Sequence, residues 1–257
     1  MVLALDVADG VAVVTLNRPE ARNALDSELI TALDTTMSEL DARDDVAAIV
    51  ITGADPAFCA GLDLKELGGT GENLRGGTAS GRPWARTRKP VVGAVNGPAI
   101  TGGLELALQC DFLVASPRAR FADTHARVGI LPGWGLTVLL PQAVGIRKAR
   151  EMSFTGNFVD AEEALALGLV NRLVDHDRLL DETRRLALDI AGNDGATVQA
   201  FRASYERIVG LTTEEGFRRE SQAQREFNVG FDPAEVARRR AAIVDRGRAQ
   251  ASDASGT

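Results

Sequence analysis

The sequence predicts an α/β fold, because strand-like and helix-like segments alternate along its first half. Apolar runs rich in β-branched residues, each short enough for a buried strand, occupy 11–16, 47–52 and 91–95. A stretch with helical spacing of apolar residues, 26–40, separates the first two runs. Strands separated by helices indicate an architecture in which helices cover a sheet.

The first predicted strand, 11–16, is followed by Asn17-Arg18-Pro19, where the proline breaks the strand. In the helix predicted over 26–40, Asp26 or Ser27 is placed to cap the first turn. Its apolar stripe consists of Leu29, Leu33, Met37 and Leu40.

The predicted strand at 47–52 leads into a glycine-containing turn and then into the segment FCAGLDLKEL at 58–67. The stretch 68–81 is rich in glycine, and we expect a mobile surface loop there. The strand at 91–95 ends in a tight turn at 96–98, and a helix follows that begins at Thr101-Gly102-Gly103. A further strand is predicted at 112–115.

From about residue 177 onward the pattern is helical and rich in charge. We predict a core domain over 1–194 and a C-terminal helical segment over 195–257. The apolar faces of these amphipathic helices need a surface to pack against.

The composition excludes several classes of protein. The 257 residues carry a net charge of −7, and the one basic block, 238–240, is typical of a solvated helix face, so nucleic acid is not an expected partner. The N-terminal residues resemble no signal peptide, and no apolar run is long enough to span a membrane. With two cysteines and two histidines in no ligand-like spacing, we expect no metal site and a reducing, cytoplasmic location.

The segment KPVVGAVNGPAITGGLELALQCD, at 89–111, carries the clearest chemical signal. A helix N-terminus offers unpaired N–H groups, and the glycines allow another molecule to approach them. Glu105 lies in the first turn among apolar neighbours, where a carboxylate needs a partner or a function. The segment can therefore present N–H donors to an oxyanion and a carboxylate for proton transfer, with the turn before 58–67 as a second source of donors.

Three segments together resemble the enoyl-CoA hydratase/isomerase (crotonase) superfamily. They are FCAGLDLKEL, KPVVGAVNGPAITGGLELALQCD and, at 121–135, FADTHARVGILPGWG. The resemblance is in order and extends from VAVVTLNRPEARNAL at 11–25 to about residue 174. It implies a spiral of ββα repeats and a C-terminal helical segment that packs homotrimers or dimers of trimers. It also implies an acyl-CoA substrate and no separate cofactor.

By resemblance, the backbone N–H groups of Leu62 and Gly102 form the oxyanion hole for the thioester, and Glu105 is a catalytic acid/base. The alternative for Gly102 is that it only permits close packing. Glu105 is also favourably placed at a helix N-terminus without any catalytic role.

His125 marks a departure from the family. Hydratases carry a second glutamate twenty residues after the first, and that position is His125 in this sequence. Histidine transfers protons near neutral pH, so we expect a site role for it, with a structural hydrogen bond as the alternative. Asp123 is a candidate stand-in, but two residues along an extended loop are expected to place it well away.

The remaining predicted site residues bind the two ends of the substrate. The resemblance places Arg22, Ala24, Ala60 and Lys65 near coenzyme A, although both basic side chains also suit a solvated surface. Trp84 and Trp134 are predicted either to border the acyl pocket or to fill the core.

We therefore expect an enoyl-CoA hydratase that uses Glu105 and His125. Two alternatives stay open. One is an isomerase, or another reaction of this fold, in which Glu105 is the single base. The other is a binding protein for acyl-CoA without catalytic activity.

Overall fold

The structure, a computed structural model, describes residues 1–254 and contains two sheets. Six strands form the larger sheet in the order β1-β2-β3-β4-β6-β9, and three form the smaller one in the order β5-β7-β8. The strands are β1 Leu3–Ala8, β2 Val11–Leu16, β3 Ala48–Gly53, β4 Val91–Val95, β5 Pro98–Ile100, β6 Phe112–Ala115, β7 Arg120–Ala122, β8 Val159–Asp160 and β9 Arg172–Leu173.

Eleven α-helices connect or follow these strands within residues 1–254. They are α1 Ser27–Ala42, α2 Leu64–Gly68, α3 Gly102–Leu108, α4 His125–Val128, α5 Leu136–Val144, α6 Ile146–Thr155, α7 Ala161–Leu167, α8 Leu179–Ala191, α9 Gly195–Ile208, α10 Thr213–Phe227 and α11 Pro233–Ala254. None of the helices in this described part of the chain has the length and apolar character needed to cross a membrane.

The repeating unit is two strands followed by a helix. Strand β4 in the larger sheet leads into β5 in the smaller sheet and then into α3, and β6 leads in the same way into β7 and α4. Both β4–β6 and β5–β7 pair in parallel, so consecutive repeats stack with the same polarity. This is the ββα spiral that the sequence analysis predicts.

Both faces of the central strands β2, β3 and β4 are buried, which explains why these strands are apolar throughout rather than alternating. One face of β2 and β3 packs against α8 through Leu179 and Ala187. The other face belongs to the main core, which also contains the apolar stripe of α1. The predicted cap of that helix is confirmed, because the side chain of Asp26 accepts a hydrogen bond from the Leu29 N–H at 2.8 Å.

The chain divides into two units, of which the first is Met1–Arg202 and the second begins at Ala203. The sheets and helices α1–α8 belong to the first unit. The predicted domain boundary at 194/195 falls at the start of α9, whereas the division between the units falls within that helix.

Asn23 holds together the chain between β2 and α1. Its side-chain amide is fully buried and donates to the carbonyls of Ala54 at 2.8 Å and Ala57 at 2.7 Å. Its side-chain oxygen accepts from the Arg18 N–H at 2.9 Å, and its φ of 55° is a conformation that asparagine tolerates better than most residues.

We expect Asn23→Ala to lower the free energy of unfolding by about 2–4 kcal/mol, because it leaves buried carbonyls unpaired and puts alanine at positive φ. Urea denaturation measures this loss. Asn17→Ala is the control, since Asn17 is exposed and should change stability by less than about 0.5 kcal/mol. Equal effects of the two substitutions would contradict the anchoring role of Asn23.

Candidate active site

Glu105 lies in the first full turn of α3 and is 3% exposed. Its Oε1 accepts a hydrogen bond of 2.7 Å from the backbone N–H of Trp134. The flanking residues Leu104 and Leu106 are fully buried in the core. A carboxylate held in such surroundings by one N–H keeps its second oxygen, Oε2, for another partner.

His125 provides that partner from the neighbouring repeat. It begins α4, is 5% exposed, and its Nε2 lies 3.5 Å from Glu105 Oε2. The structure therefore brings together the two side chains that the sequence analysis pairs as acid and base. A water molecule that binds both atoms must lie to one side of the line between them, because two hydrogen bonds of about 2.8 Å do not fit end to end in this gap.

Asp123 is also in the site, so the expectation that it lies well away is wrong. Its Oδ1 accepts from His125 Nδ1 at 2.6 Å and from the backbone N–H of His125 at 3.1 Å. The loop does not stay extended, since Thr124 turns the chain with φ −102° and ψ 15° into α4. An aspartate commonly accepts from the N–H two residues ahead at such a turn. The spacing Asp-x-His before a helix was the signal for this contact.

The two carboxylates determine the charge of the imidazole. Burial alone would lower the pKa of His125, but hydrogen bonds and Coulomb attraction from Asp123 and Glu105 outweigh burial and raise this pKa to about 9. Burial likewise opposes the charge of Asp123, yet hydrogen bonds from His125 and the Ser153 hydroxyl lower the pKa of Asp123. At neutral pH the imidazole is therefore an imidazolium, which suits a proton donor.

The two predicted oxyanion donors come from adjacent turns. A Cβ placed on Gly61, which has φ 92°, would lie 2.8 Å from the Ile100 carbonyl and 3.4 Å from the Gly102 nitrogen. The chain at Leu62 pairs with Leu25 through the Gly61 carbonyl and the Asp63 N–H. Among the described backbone bonds, neither the Leu62 nor the Gly102 N–H has an acceptor. Both N–H groups are thus available to a ligand oxygen.

The peptide before Gly102 is strained. Thr101 has φ 54° and ψ −110°, which costs of order 1–3 kcal/mol for a β-branched residue. Two contacts hold it there: its N–H donates to the Ala122 carbonyl at 2.8 Å, and its hydroxyl makes a short hydrogen bond with the Thr124 hydroxyl. This strain turns the chain sharply from β5 into α3 and sets the direction of the first N–H groups of the helix.

Trp134 connects helix α3 to the glycine-rich segment. Its N–H binds Glu105, and its carbonyl accepts from the Gln109 side chain at 2.7 Å, so it is tied to both ends of α3. Its indole Nε1 donates to the Gly76 carbonyl at 3.2 Å, and Arg82 donates to Gln109 at 2.9 Å. The segment 76–82 is therefore fastened beside the site. Gln109 and Arg82 were not predicted from the sequence.

The residues predicted to bind coenzyme A lie on two segments that run side by side. The Ala60 N–H donates to the Arg22 carbonyl at 3.0 Å, and Arg22 is exposed. Ala24 is buried, whereas Lys65 is exposed in α2, just beyond Leu62. The two basic side chains are thus accessible near the predicted oxyanion hole. Trp84, like Trp134, is part of the main core.

Neither cysteine is suited to nucleophilic catalysis. Burial raises the pKa of Cys59 to about 12, and it also raises the pKa of Cys110. Both thiols therefore stay protonated at neutral pH, although Cys59 lies against Gly103 at the start of α3. Glu105, His125 and the backbone donors therefore remain the candidate groups for catalysis.

Comparison with known proteins gives one consistent result. The family description "Enoyl-CoA hydratase/isomerase" matches residues 6–235 of the chain. A protein named "Probable enoyl-CoA hydratase" in Rhizobium meliloti is 39% identical over 225 residues, which cover 84% of this chain and 85% of the relative. A protein named "Short-chain-enoyl-CoA hydratase" in Clostridium acetobutylicum is 36% identical over 219 residues, or 83% and 84% of the two chains.

A solved structure agrees with these relatives. The crystal structure of enoyl-CoA hydratase from Mycobacterium tuberculosis H37Rv is similar to this fold with a TM-score of 0.76 and 49% sequence identity. The match covers 90% of this chain and all of the other (100%).

We expect Trp134→Phe to release the segment 76–82, because phenylalanine lacks the N–H that binds the Gly76 carbonyl. A lost hydrogen bond of about 0.5–1.5 kcal/mol corresponds to ~2- to 10-fold faster exchange of the amides in this segment. Hydrogen–deuterium exchange read by mass spectrometry measures this. Trp84→Phe serves as control since it leaves the Gly76 contact in place, and unchanged exchange in Trp134→Phe would contradict the fastening role.

Proposed function

The chain belongs to the enoyl-CoA hydratase/isomerase family, and we propose that it is an enoyl-CoA hydratase that adds water reversibly to a 2-enoyl-CoA thioester. The observation that carries this proposal is the contact of Glu105 and His125, 3.5 Å apart, one helical turn from the Gly102 N–H. Two proton-transferring groups beside two free backbone donors meet the needs of hydration.

The thioester oxygen accepts hydrogen bonds from the N–H groups of Leu62 and Gly102. These donors stabilise the enolate that forms when the β-carbon is attacked, and such a donor typically contributes about 2.7–4 kcal/mol to lowering a barrier. Exposed Arg22 and Lys65 bind the phosphates of coenzyme A, while Ala24 and the Ala60 backbone line the path toward the thioester.

Glu105 takes a proton from the bound water, whose oxygen forms the new bond to C3 of the substrate. His125 delivers the proton of its Nε2 to C2, which completes the conversion of the double bond to a hydroxyacyl chain. Glu105 then holds the proton taken from water, and the transfer of this proton to Nε2 of His125 across the 3.5 Å gap restores both groups. Because both groups act from one side of the substrate, the addition is syn.

The reaction needs no separate cofactor, since acid–base transfer and oxyanion stabilisation supply the chemistry and coenzyme A is part of the substrate. Trp134, fixed between Glu105 and the glycine-rich segment, is proposed as a wall of the acyl pocket, with Trp84 behind it in the core. The two free thiols, Cys59 buried and Cys110 half-buried, support a reducing location, for which we propose the cytoplasm.

The pairing of Glu105 with His125 argues against an isomerase with a single base. A buried cluster in which every charged group has a partner also argues against a binding protein without activity, because such a cluster is costly to bury. Product analysis on a 3-enoyl-CoA separates isomerisation from hydration.

The helices after Ala203 support a homotrimer or a dimer of trimers. Together with the chain just before α11, they expose large apolar side chains, and apolar side chains left in water favour an interface. These residues are Tyr205, Phe217, Phe227 and Ile243 in the helices and Phe231 before α11. Sedimentation equilibrium should give three or six times the monomer mass, and a monomer at micromolar concentration would contradict this assembly.

We expect Glu105→Gln to reduce kcat for 2-enoyl-CoA hydration by about 10²–10⁴-fold, because the amide accepts the Trp134 N–H but takes no proton from water. Loss of the enoyl-thioester ultraviolet absorbance measures the rate, over substrates from short to long chain. Calorimetry with a saturated acyl-CoA should show binding unchanged.

Glu151→Gln is the matched control for this substitution, because Glu151 is an exposed glutamate on α6 whose loss should leave kcat unchanged. Wild-type protein without activity on any 2-enoyl-CoA would refute the hydratase proposal. Full activity in Glu105→Gln would refute the role of Glu105.

A further inference from the structure

His125 is held between two carboxylates in a buried site. Glu105 approaches Nε2 from α3 at 3.5 Å, and Asp123, on the loop that enters α4, binds Nδ1 at 2.6 Å. From α6, the hydroxyl of Ser153 binds Asp123. Arg127 is the nearest cation along the chain, but it is bound to the Thr155 carbonyl at 3.2 Å near the surface. The mechanism described above uses Glu105 and leaves Asp123 without a role.

We propose that Asp123 is the positioning residue of this hydratase: its carboxylate fixes the ring of His125 and keeps Nε2 protonated as the proton donor to the substrate. This inference rests on the proposed function. Asp123 itself does not touch the reacting atoms.

The geometry assigns the position of the labile proton. Asp123 accepts from Nδ1, so Nδ1 carries a proton in both the charged and the neutral imidazole. Deprotonation of the ring therefore takes place only at Nε2, the nitrogen that faces Glu105. Without a partner for Nδ1, the neutral ring would be free to adopt the other tautomer or to rotate, and either change would withdraw the proton donor.

The charges lead to the same conclusion. An imidazolium beside the Glu105 carboxylate alone would form a neutral pair, 3.5 Å apart, in which the proton could pass to Glu105. The carboxylate of Asp123, 2.6 Å from Nδ1, adds a second negative charge that stabilises the imidazolium. The single labile proton therefore stays on His125. The negative charge of Asp123 thus allows a histidine at position 125 to act as the proton donor.

A purely structural role for Asp123 makes a different prediction. The Asp123 carboxylate also accepts the backbone N–H of His125 at 3.1 Å, which stabilises the turn into α4. Asp123→Asn retains an oxygen for both N–H groups but removes the charge, whereas Asp123→Ala removes the contact and the charge. If Asp123 is only structural, Asp123→Asn should leave the protonation of His125 unchanged.

Imidazole NMR of the full-length chain decides between these roles without relying on activity. The chain has two histidines, so a His176→Gln variant assigns both signals. His125 should titrate near pH 9 in the wild type, since its pKa is raised to about 9. In Asp123→Asn the midpoint of His125 should fall by at least about one pH unit, which is a tenfold weaker proton affinity. Equal midpoints for His125 in the two proteins would overturn the proposal.

The pH dependence of hydration provides the second readout. The protonated donor is lost as the pH rises through the pKa of His125, so wild-type kcat/KM should fall above about pH 9. In Asp123→Asn this alkaline limb should move to lower pH, with kcat closer to the wild-type value on its acid side. Asp123→Ala should lose about 10- to 100-fold at every pH, because the ring is no longer oriented.

The failures of the two proposals are distinguishable. Suppose that the wild-type protein hydrates 2-enoyl-CoA, but that its kcat/KM falls at the same alkaline pH as that of Asp123→Asn. This result would overturn the role of Asp123 and would still support the hydratase proposal. Suppose instead that the wild-type protein has no turnover, but that the NMR titration midpoint of His125 is lower in Asp123→Asn than in the wild type. This result would refute the hydratase proposal and would still support the coupling of Asp123 to His125.

Discussion

The parallel pairing of β5 with β7 is the constraint on which the site depends. Pro98–Ile100 and Arg120–Ala122 pair residue for residue and end together, so the chain leaves both strands at the same edge of the smaller sheet. From one strand it enters α3 with Gly102 and Glu105, and from the other it enters the loop of Asp123 and His125. A shift of one residue in this register would turn the strand residues to the opposite face and separate Glu105 from His125.

The same edge holds the proposed oxyanion hole, formed by the N–H groups of Leu62 and Gly102, in place. The bridge between Cys59 and Ala99 aligns the first glycine turn with β5, and a Cβ on Gly103 would lie 2.1 Å from the Cys59 carbonyl, which only glycine permits. Thr101 is kept in its strained conformation by contacts with Ala122 and Thr124. The hydroxyl contact joins the oxyanion turn to the acid/base loop, so that the two halves of the site form one hydrogen-bonded unit.

The sequence predicted the parts of this fold that bury long apolar runs. The strands predicted at 11–16, 91–95 and 112–115 agree with β2, β4 and β6. The predicted N-cap of α1 is confirmed at Asp26. Strands β5 and β7 were not predicted individually, because three residues are too few to show a period. The place of Asp123 was wrong for a related reason, since the direction of its side chain depends on a turn at Thr124 and not on spacing alone.

The surroundings of His125 show how the proposed site can accommodate a histidine where the family resemblance leads one to expect a glutamate. A buried polar cluster is stable only when each member has a partner and the charges balance, so one of its residues rarely changes alone. An imidazolium beside Glu105 alone would have its Nδ1–H unpaired in a buried site. Asp123 satisfies that N–H, fixes the tautomer and restores the charge through one oxygen. The proposed functional unit is therefore the three residues Glu105, Asp123 and His125, in which the aspartate two residues before the histidine sets its charge and tautomer.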